Sequence, residues 1–164
     1  MERLWAPWRL TYIERASGPD ELPCVFCGKL EQDDREALIL HRGAHAFVLL
    51  NLYPYANGHL MIAPYRHVAT PGDLDAGERT EVWELLDHSL GVLARTIKPH
   101  GHNVGMNLGR VAGAGVEGHL HVHVVPRWNG DTNFMATVGE TRVLPEDLTA
   151  TYDRLAAVLS SGRR

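Results

Sequence analysis

Along residues 118–126 the chain alternates polar and apolar positions without a break: His119, His121 and His123 are interleaved with Leu120, Val122 and Val124. A strand sends successive side chains to opposite faces. The spacing therefore predicts a strand with three imidazoles on one face and three core-facing aliphatics on the other. The β-branched valines favour strand over helix. Pro126, which has no N–H for a ladder, is expected to stop it.

Shorter apolar runs predict the remaining strands. Residues 37–41 and 46–52 read as a hairpin around Arg42-Gly43-Ala44, and Phe47-Val48-Leu49-Leu50 is its most β-prone part. Residues 51–58 turn the chain. Residues 59–64 form the next strand and 103–108 another, closed by Gly109. Between these two the period lengthens. Asp73 stands where it could cap a helix from Leu74 to about Lys98. Val82, Leu85, Leu86, Leu93 and Ile97 share one face of it, and Pro99-His100-Gly101-His102 ends it. Residues 129–144 read as a loop with a short strand at 141–144. Pro145 opens a last helix to about Ser160, with Leu148, Tyr152, Leu155 and Leu159 on one face. Strands, a long helix, strands and a final helix predict an α+β fold with an antiparallel sheet. The chain divides into an extension (1–23), a central domain (24–144) and a C-terminal helix with its tail (145–164).

Composition narrows the class. The chain is 45% apolar and 22% charged, as expected of one soluble globular unit. A formal net charge of -4 argues against a general nucleic-acid binder. No apolar run is long enough to span a bilayer, and the N-terminus lacks the apolar segment of a signal peptide. A cytoplasmic protein with no membrane partner is expected. Trp5 and Trp8 are expected to pack against the body or a partner subunit.

Three stretches carry candidate chemistry. The first is the row of imidazoles, which in neutral form are nucleophiles and metal ligands with an unperturbed pKa of about 6.5. The competing reading, a polar face at a sheet edge, suits one histidine better than three in strict alternation. The second is Cys24-Val25-Phe26-Cys27, which holds the only two cysteines. It reads as a disulfide, disfavoured in a reducing compartment, as a redox pair, or as half of a zinc site that needs two further ligands. The third is the glycine-rich loop 109–118. Its glycines let backbone N–H groups approach an anion, though flexible spacing is the alternative. The remaining histidines, His41, His45, His88, His100 and His102, read as surface residues.

The His-x-His-x-His motif with its apolar continuation resembles the signature of the histidine triad (HIT) family of nucleotide hydrolases and transferases. Residues 126–134, Pro-Arg-Trp-Asn-Gly-Asp-Thr-Asn-Phe, are similar to the branch that includes the diadenosine-tetraphosphate (Ap4A) phosphorylases of actinobacteria. The resemblance implies a HIT-like fold: a five-stranded antiparallel meander with one long helix, a C-terminal helix and a zinc knuckle near the N-terminus. It also implies a homodimer, or a tetramer. The implied cofactor is a structural Zn2+ on Cys24, Cys27, His67 of Pro64-Tyr65-Arg66-His67, and His119. Asn51 is expected at the ribose hydroxyls and His59 beside the reacting phosphate. Asn107 is expected on that phosphate or its bridging oxygen, with Gly113 and Gly115 in a phosphate cradle.

The implied reaction is nucleotidyl transfer at the α-phosphorus of a dinucleoside polyphosphate. His121 attacks and forms a nucleotidyl-histidine, its other ring nitrogen donating to the His119 carbonyl. His123 and His59 assist the leaving group, and water or inorganic phosphate is the acceptor. HIT enzymes often place Ser, Thr or Gln in the loop where this chain has Ala114 and Gly115, a departure that bears on phosphorolysis against hydrolysis. The alternatives are a nucleoside phosphoramidate hydrolase, a non-catalytic nucleotide-binding module, and redox activity at Cys24 and Cys27.

Overall fold

The computed structural model describes residues 24–131 and 146–159. Trp5, Trp8, Pro145 and the strand expected at 141–144 lie outside the described residues. The elements are α1 (Val25–Lys29), α2 (Asp34–Ala37), β1 (Ile39–Arg42), β2 (Ala46–Leu50), β3 (Leu60–Pro64), α3 (Ala76–Thr96), β4 (Gly101–Gly105), β5 (Val122–Arg127) and α4 (Leu148–Leu159). The strands form one sheet in the order β1-β2-β3-β5-β4, and every neighbouring pair is antiparallel. This is the expected five-stranded antiparallel sheet with a long and a C-terminal helix. Its meander is consecutive through β3. Then α3 carries the chain across, and β5 enters between β3 and β4.

The pleat divides the sheet into two unlike faces. Val48, Leu50, Leu60, Ile62, Val122 and Val124 point to one side. There they pack against Val82, Leu85, Leu86, Val92 and Leu93 of α3 and Tyr152, Leu155 and Leu159 of α4. Each fully buried aliphatic of this kind stabilises the fold by about 1.5–3 kcal/mol. Phe47, Leu49, Met61 and Ala63 point the other way, into a smaller cluster with Phe26, Ala37 and Ile39. His123 lies opposite Met61 in the register, so it belongs to this second face. His59 and His121 share it by parity along their segments.

Several boundaries differ from the sequence pattern, each for a local reason. The cap of α3 is Asp75, not Asp73: Asp75 and Glu78 form a reciprocal capping box, while Asp73 closes the turn at Thr70. Strand β4 begins at Gly101, two residues earlier than expected, because His100 N–H already bonds to Arg127 O at 2.8 Å and starts the ladder. Pairing in β5 begins only at Val122. Pro64, which would lie opposite Leu120, has no N–H to offer, and Leu120 N–H bonds to Val68 O at 2.6 Å instead. At the other end β5 runs through Pro126 to Arg127. Its pairing with β3 has ended at Val124, so the missing N–H of Pro126 interrupts nothing there. His102 and His41 thus lie on strands, half-buried rather than at the surface, and Nε2 of His102 is buried with no hydrogen-bond partner among the described residues. His88 is also half-buried, whereas His45 and His100 are exposed.

Two carboxylates of α3 fasten the helix to the sheet. Glu81 accepts from the backbone N–H groups of Ala44, His45 and Ala46, which holds the β1–β2 turn. A Cβ at Gly43 would meet its Oε1 at 2.6 Å and the backbone oxygen of Ala46 at 2.9 Å, so a larger residue would disturb this turn. Burial pushes the Glu81 carboxyl up, but the three backbone donors outweigh it and the net shift is downward. Glu78, 3% exposed, takes a two-pronged bond from Arg66, Nε to Oε1 and Nη2 to Oε2, both at 2.6 Å. No described helix is long and apolar enough to cross a membrane.

Arg66, against the opposing effect of burial, lowers the Glu78 pKa from 4.5 to about 2. A carboxylate with a depressed folded-state pKa contributes stability in full above its unfolded value, and the contribution is lost as pH falls through the folded value. Glu78→Gln should therefore lower the urea midpoint at pH 6. The gap to the parent protein should narrow between about pH 4.5 and pH 2. A gap of constant size down to pH 2 would contradict the ion pair as its cause.

Candidate active site

Four histidines converge on the second sheet face, and their partners determine where each proton sits. A backbone carbonyl only accepts and a backbone N–H only donates. Nδ1 of His121 lies 2.8 Å from His119 O, so Nδ1 carries the proton and Nε2 keeps its lone pair. Nε2 of His119 lies 2.9 Å from Pro64 O, so its proton is on Nε2 and its Nδ1 is the free donor atom. His59 Nδ1 accepts from Tyr55 N–H at 3.1 Å, so its Nε2 carries the proton and donates to Nδ1 of His123 at 2.9 Å. The remaining proton of neutral His123 is then on Nε2. The rings of His121 and His123 meet edge to face at 4.9 Å. Burial lowers the pKa of His121 and of His119, opposed in each by the bond to a carbonyl. Both imidazoles are thus held neutral at pH 7, the form a nucleophile or a ligand needs.

The other expected residues surround this row. Asn51 contacts His59 Nδ1 through Nδ2 at 3.3 Å and accepts Tyr53 N–H through Oδ1 at 3.0 Å. Its side chain steadies His59 here. Asn107 donates to Gly113 O at 3.4 Å across the base of the glycine-rich loop. Gly113 has φ +87°, which lets the loop turn back, and its own N–H bonds to Arg110 O. The N–H groups of Ala112 and Ala114 bond to Gly109 O. Arg110 and Glu117 pair across the loop at 3.5 Å.

Two aromatic residues at the site are absent from the sequence reading. The Tyr55 ring lies 4.7 Å from His59 and 6.0 Å, stacked, from His123. Phe26 lies 5.1 Å from His119 and 4.8 Å from His121. The available signal for Phe26 was an apolar residue enclosed by the two cysteines.

Cys24, Cys27, His67 and His119 come together as the resemblance implied. Their donor atoms all lie within 4.8 Å of one another, and this set could hold a metal ion. Cys24 Sγ and Cys27 Sγ lie 3.3 and 3.6 Å from Nδ1 of His119, and Cys27 Sγ lies 3.5 Å from Nδ1 of His67. The donor set fits a tetrahedral soft-to-borderline cation: two sulfurs and two imidazoles, with the His119 lone pair already turned inward. Burial, then the bond to Cys24 and its charge, pushes the Cys27 thiol up, a logic that a bound cation inverts. Gly118 makes room for the set, since a Cβ there would meet Nε2 of His67 at 2.8 Å. Gly118→Ala should displace that ring and weaken metal uptake by about tenfold or more. Titration with Co2+, read by its thiolate charge-transfer absorption against a competing chelator, measures this. Unchanged affinity would show that His67 is not a ligand.

The HIT domain family model matches residues 32–130 of the chain. The AP-4-A phosphorylase of Mycobacterium tuberculosis (strain ATCC 25618 / H37Rv) is 40% identical over 162 residues, covering 95% of this chain and 83% of that protein. The bis(5'-adenosyl)-triphosphatase of Dictyostelium discoideum is 31% identical over 93 residues, covering 57% of this chain and 62% of that protein. Among solved structures, a Zn-bound histidine triad family protein from Mycobacterium smegmatis has the same fold. It superposes with a TM-score of 0.65 at 22% identity, covering 84% of this chain and 94% of that one. With the family match spanning more than half of its length and its paired imidazoles on one sheet face, the chain belongs to the HIT domain family.

Proposed function

We propose that the protein is a nucleotidyl-transferring enzyme acting at the α-phosphorus of dinucleoside polyphosphates, with His121 as its nucleophile. The observation that carries this is the state of the His121 ring: Nδ1 is committed to the His119 carbonyl, and the Nε2 lone pair remains for attack. Similarity to the AP-4-A phosphorylase and to the bis(5'-adenosyl)-triphosphatase supports the substrate class.

In the first step His121 Nε2 bonds to the α-phosphorus. The bond from that phosphorus to the bridging oxygen breaks, the polyphosphate leaves as an oxyanion, and His123 donates a hydrogen bond to it from Nε2–H. His59, hydrogen-bonded to His123 Nδ1, keeps the His123 proton on Nε2 for that donation. In the second step water or inorganic phosphate attacks the same phosphorus, the P–N bond breaks with its electron pair returning to His121 Nε2, and any proton on the attacking oxygen passes to solvent. Splitting the displacement in two replaces one hard step with two easier ones. Asn107 and the loop backbone at Gly115 are assigned to the phosphoryl oxygens and Asn51 to the ribose, while Gly113, whose N–H is bonded to Arg110 O, shapes the loop. Zn2+ is the ion assigned to Cys24, Cys27, His67 and His119, where it orders its ligands and does not touch substrate. The same reading takes the protein as a cytoplasmic homodimer. Strand β4, at the sheet edge with Val104 44% exposed, supports pairing through that face.

Product analysis with diadenosine tetraphosphate tests the proposal. Attack at the α-phosphorus releases ATP first. Added phosphate should then convert the bound nucleotidyl group to ADP, and water should convert it to AMP. Two molecules of ADP, or no turnover with either acceptor, would contradict the reaction. His121→Asn should lower kcat by at least about 10³-fold while nucleotide affinity by calorimetry stays within a few-fold. Retained turnover in that variant would exclude His121 as the nucleophile.

A further inference from the structure

We infer that the Cys24–Cys27 knuckle is a wall of the catalytic pocket, in which Phe26 is a positioning residue for His121 and metal occupancy sets the proton location on that ring. It rests on the nucleotidyl-transfer reading. Phe26 stands between the two cysteines, is 3% exposed, and packs its ring on His119 at 5.1 Å and 43° and on His121 at 4.8 Å and 36°. It is therefore the one residue of α1 that is buried and that touches both imidazoles.

His119 is held at three points. Nδ1 faces the two sulfurs, Nε2 donates to Pro64 O, and one face meets Phe26. Its carbonyl in turn holds Nδ1 of His121 at 2.8 Å. Helix α1 has only five residues and no side-chain cap, too few to hold a helix without outside contacts. Two of those contacts are the cysteine–histidine cluster and the Phe26 packing. When the cluster lacks its ion, His119 loses a fixed partner at Nδ1, and α1 loses its tie to His119 and His67. Phe26 keeps its place in the smaller core, so the shift falls on His119 and the His121 Nδ1–H bond to its carbonyl loses alignment. The large core on the opposite sheet face, built from α3 and α4, includes none of these residues, so the fold itself is expected to persist.

The first test is Phe26→Leu on metal-loaded protein. Metal affinity should stay within about threefold, while kcat falls about 10–100-fold with KM nearly constant. The second is 15N-imidazole NMR of the parent protein before and after chelation, with circular dichroism to confirm the fold. His121 should pass from a pure Nδ1–H tautomer to an averaged mixture when metal is removed, and return on adding Zn2+. An unchanged kcat in Phe26→Leu, or an unchanged His121 tautomer in folded, metal-free protein, would overturn the inference. The NMR readout does not depend on turnover. An enzyme inactive on every dinucleoside polyphosphate would defeat the reaction proposal while leaving the tautomer response to decide this one.

Discussion

The hydrogen bond from His121 Nδ1 to the His119 carbonyl is the constraint on which the site depends. It determines which ring nitrogen keeps a lone pair, and so which atom is a nucleophile. The bond exists where residues 119–121 stand outside the ladder. Pro64 cannot donate to residue 120, and the freed segment turns its polar groups to Pro64 O and Val68 O. A carbonyl in a paired strand would have been spent on its neighbour. His119 lies beyond Gly105↔His123, the last pair of β4 with β5, so no described strand claims its backbone oxygen and it is left to orient the ring. The chain accepts a break in its ladder at the place where chemistry needs a free acceptor.

The two sheet faces divide the labour. One buries the aliphatic side chains that hold the fold, under α3 and α4. The other carries a thin apolar floor of Phe47, Leu49, Met61 and Ala63, with imidazoles along its edge. Because alternate residues of β5 serve opposite faces, the valines that fix the register also fix where His121 and His123 stand. A slip of one residue would bury the imidazoles among the aliphatics of the α3 face. Stability and site geometry are therefore set by the same register. The Arg66–Glu78 clamp adds a second link, tying the residue before His67 to the first turn of α3.

Much of this was legible in the sequence because it is periodic. The period of two around His119, His121 and His123, the 3.6-residue period of α3, and the close pair Cys24/Cys27 each bring their side chains together by local geometry. The less legible parts depend on contacts between distant segments. Nothing local shows that β5 enters between β3 and β4, or that β4 starts at Gly101 through a bond from His100 to Arg127. His102 looked like a surface turn residue and proved to be a half-buried strand residue for the same reason. Asp73 and Asp75 are both plausible caps by type. Only the reach of Glu78 back to Asp75 N–H separates them. Phe26 was invisible as a site residue because its role lies in what it covers, His119 and His121, almost a hundred positions away.

The most direct test of His121 as the covalent nucleophile is to trap the intermediate. The protein would be mixed with excess diadenosine tetraphosphate in the absence of phosphate, quenched within milliseconds into base, which preserves the acid-labile P–N bond, and digested for mass spectrometry. One adenylyl group is expected on the peptide that contains His121, with the fragment ions placing it on that residue. An adduct on His119, His123 or His59, or turnover with no adduct at any quench time, would contradict it.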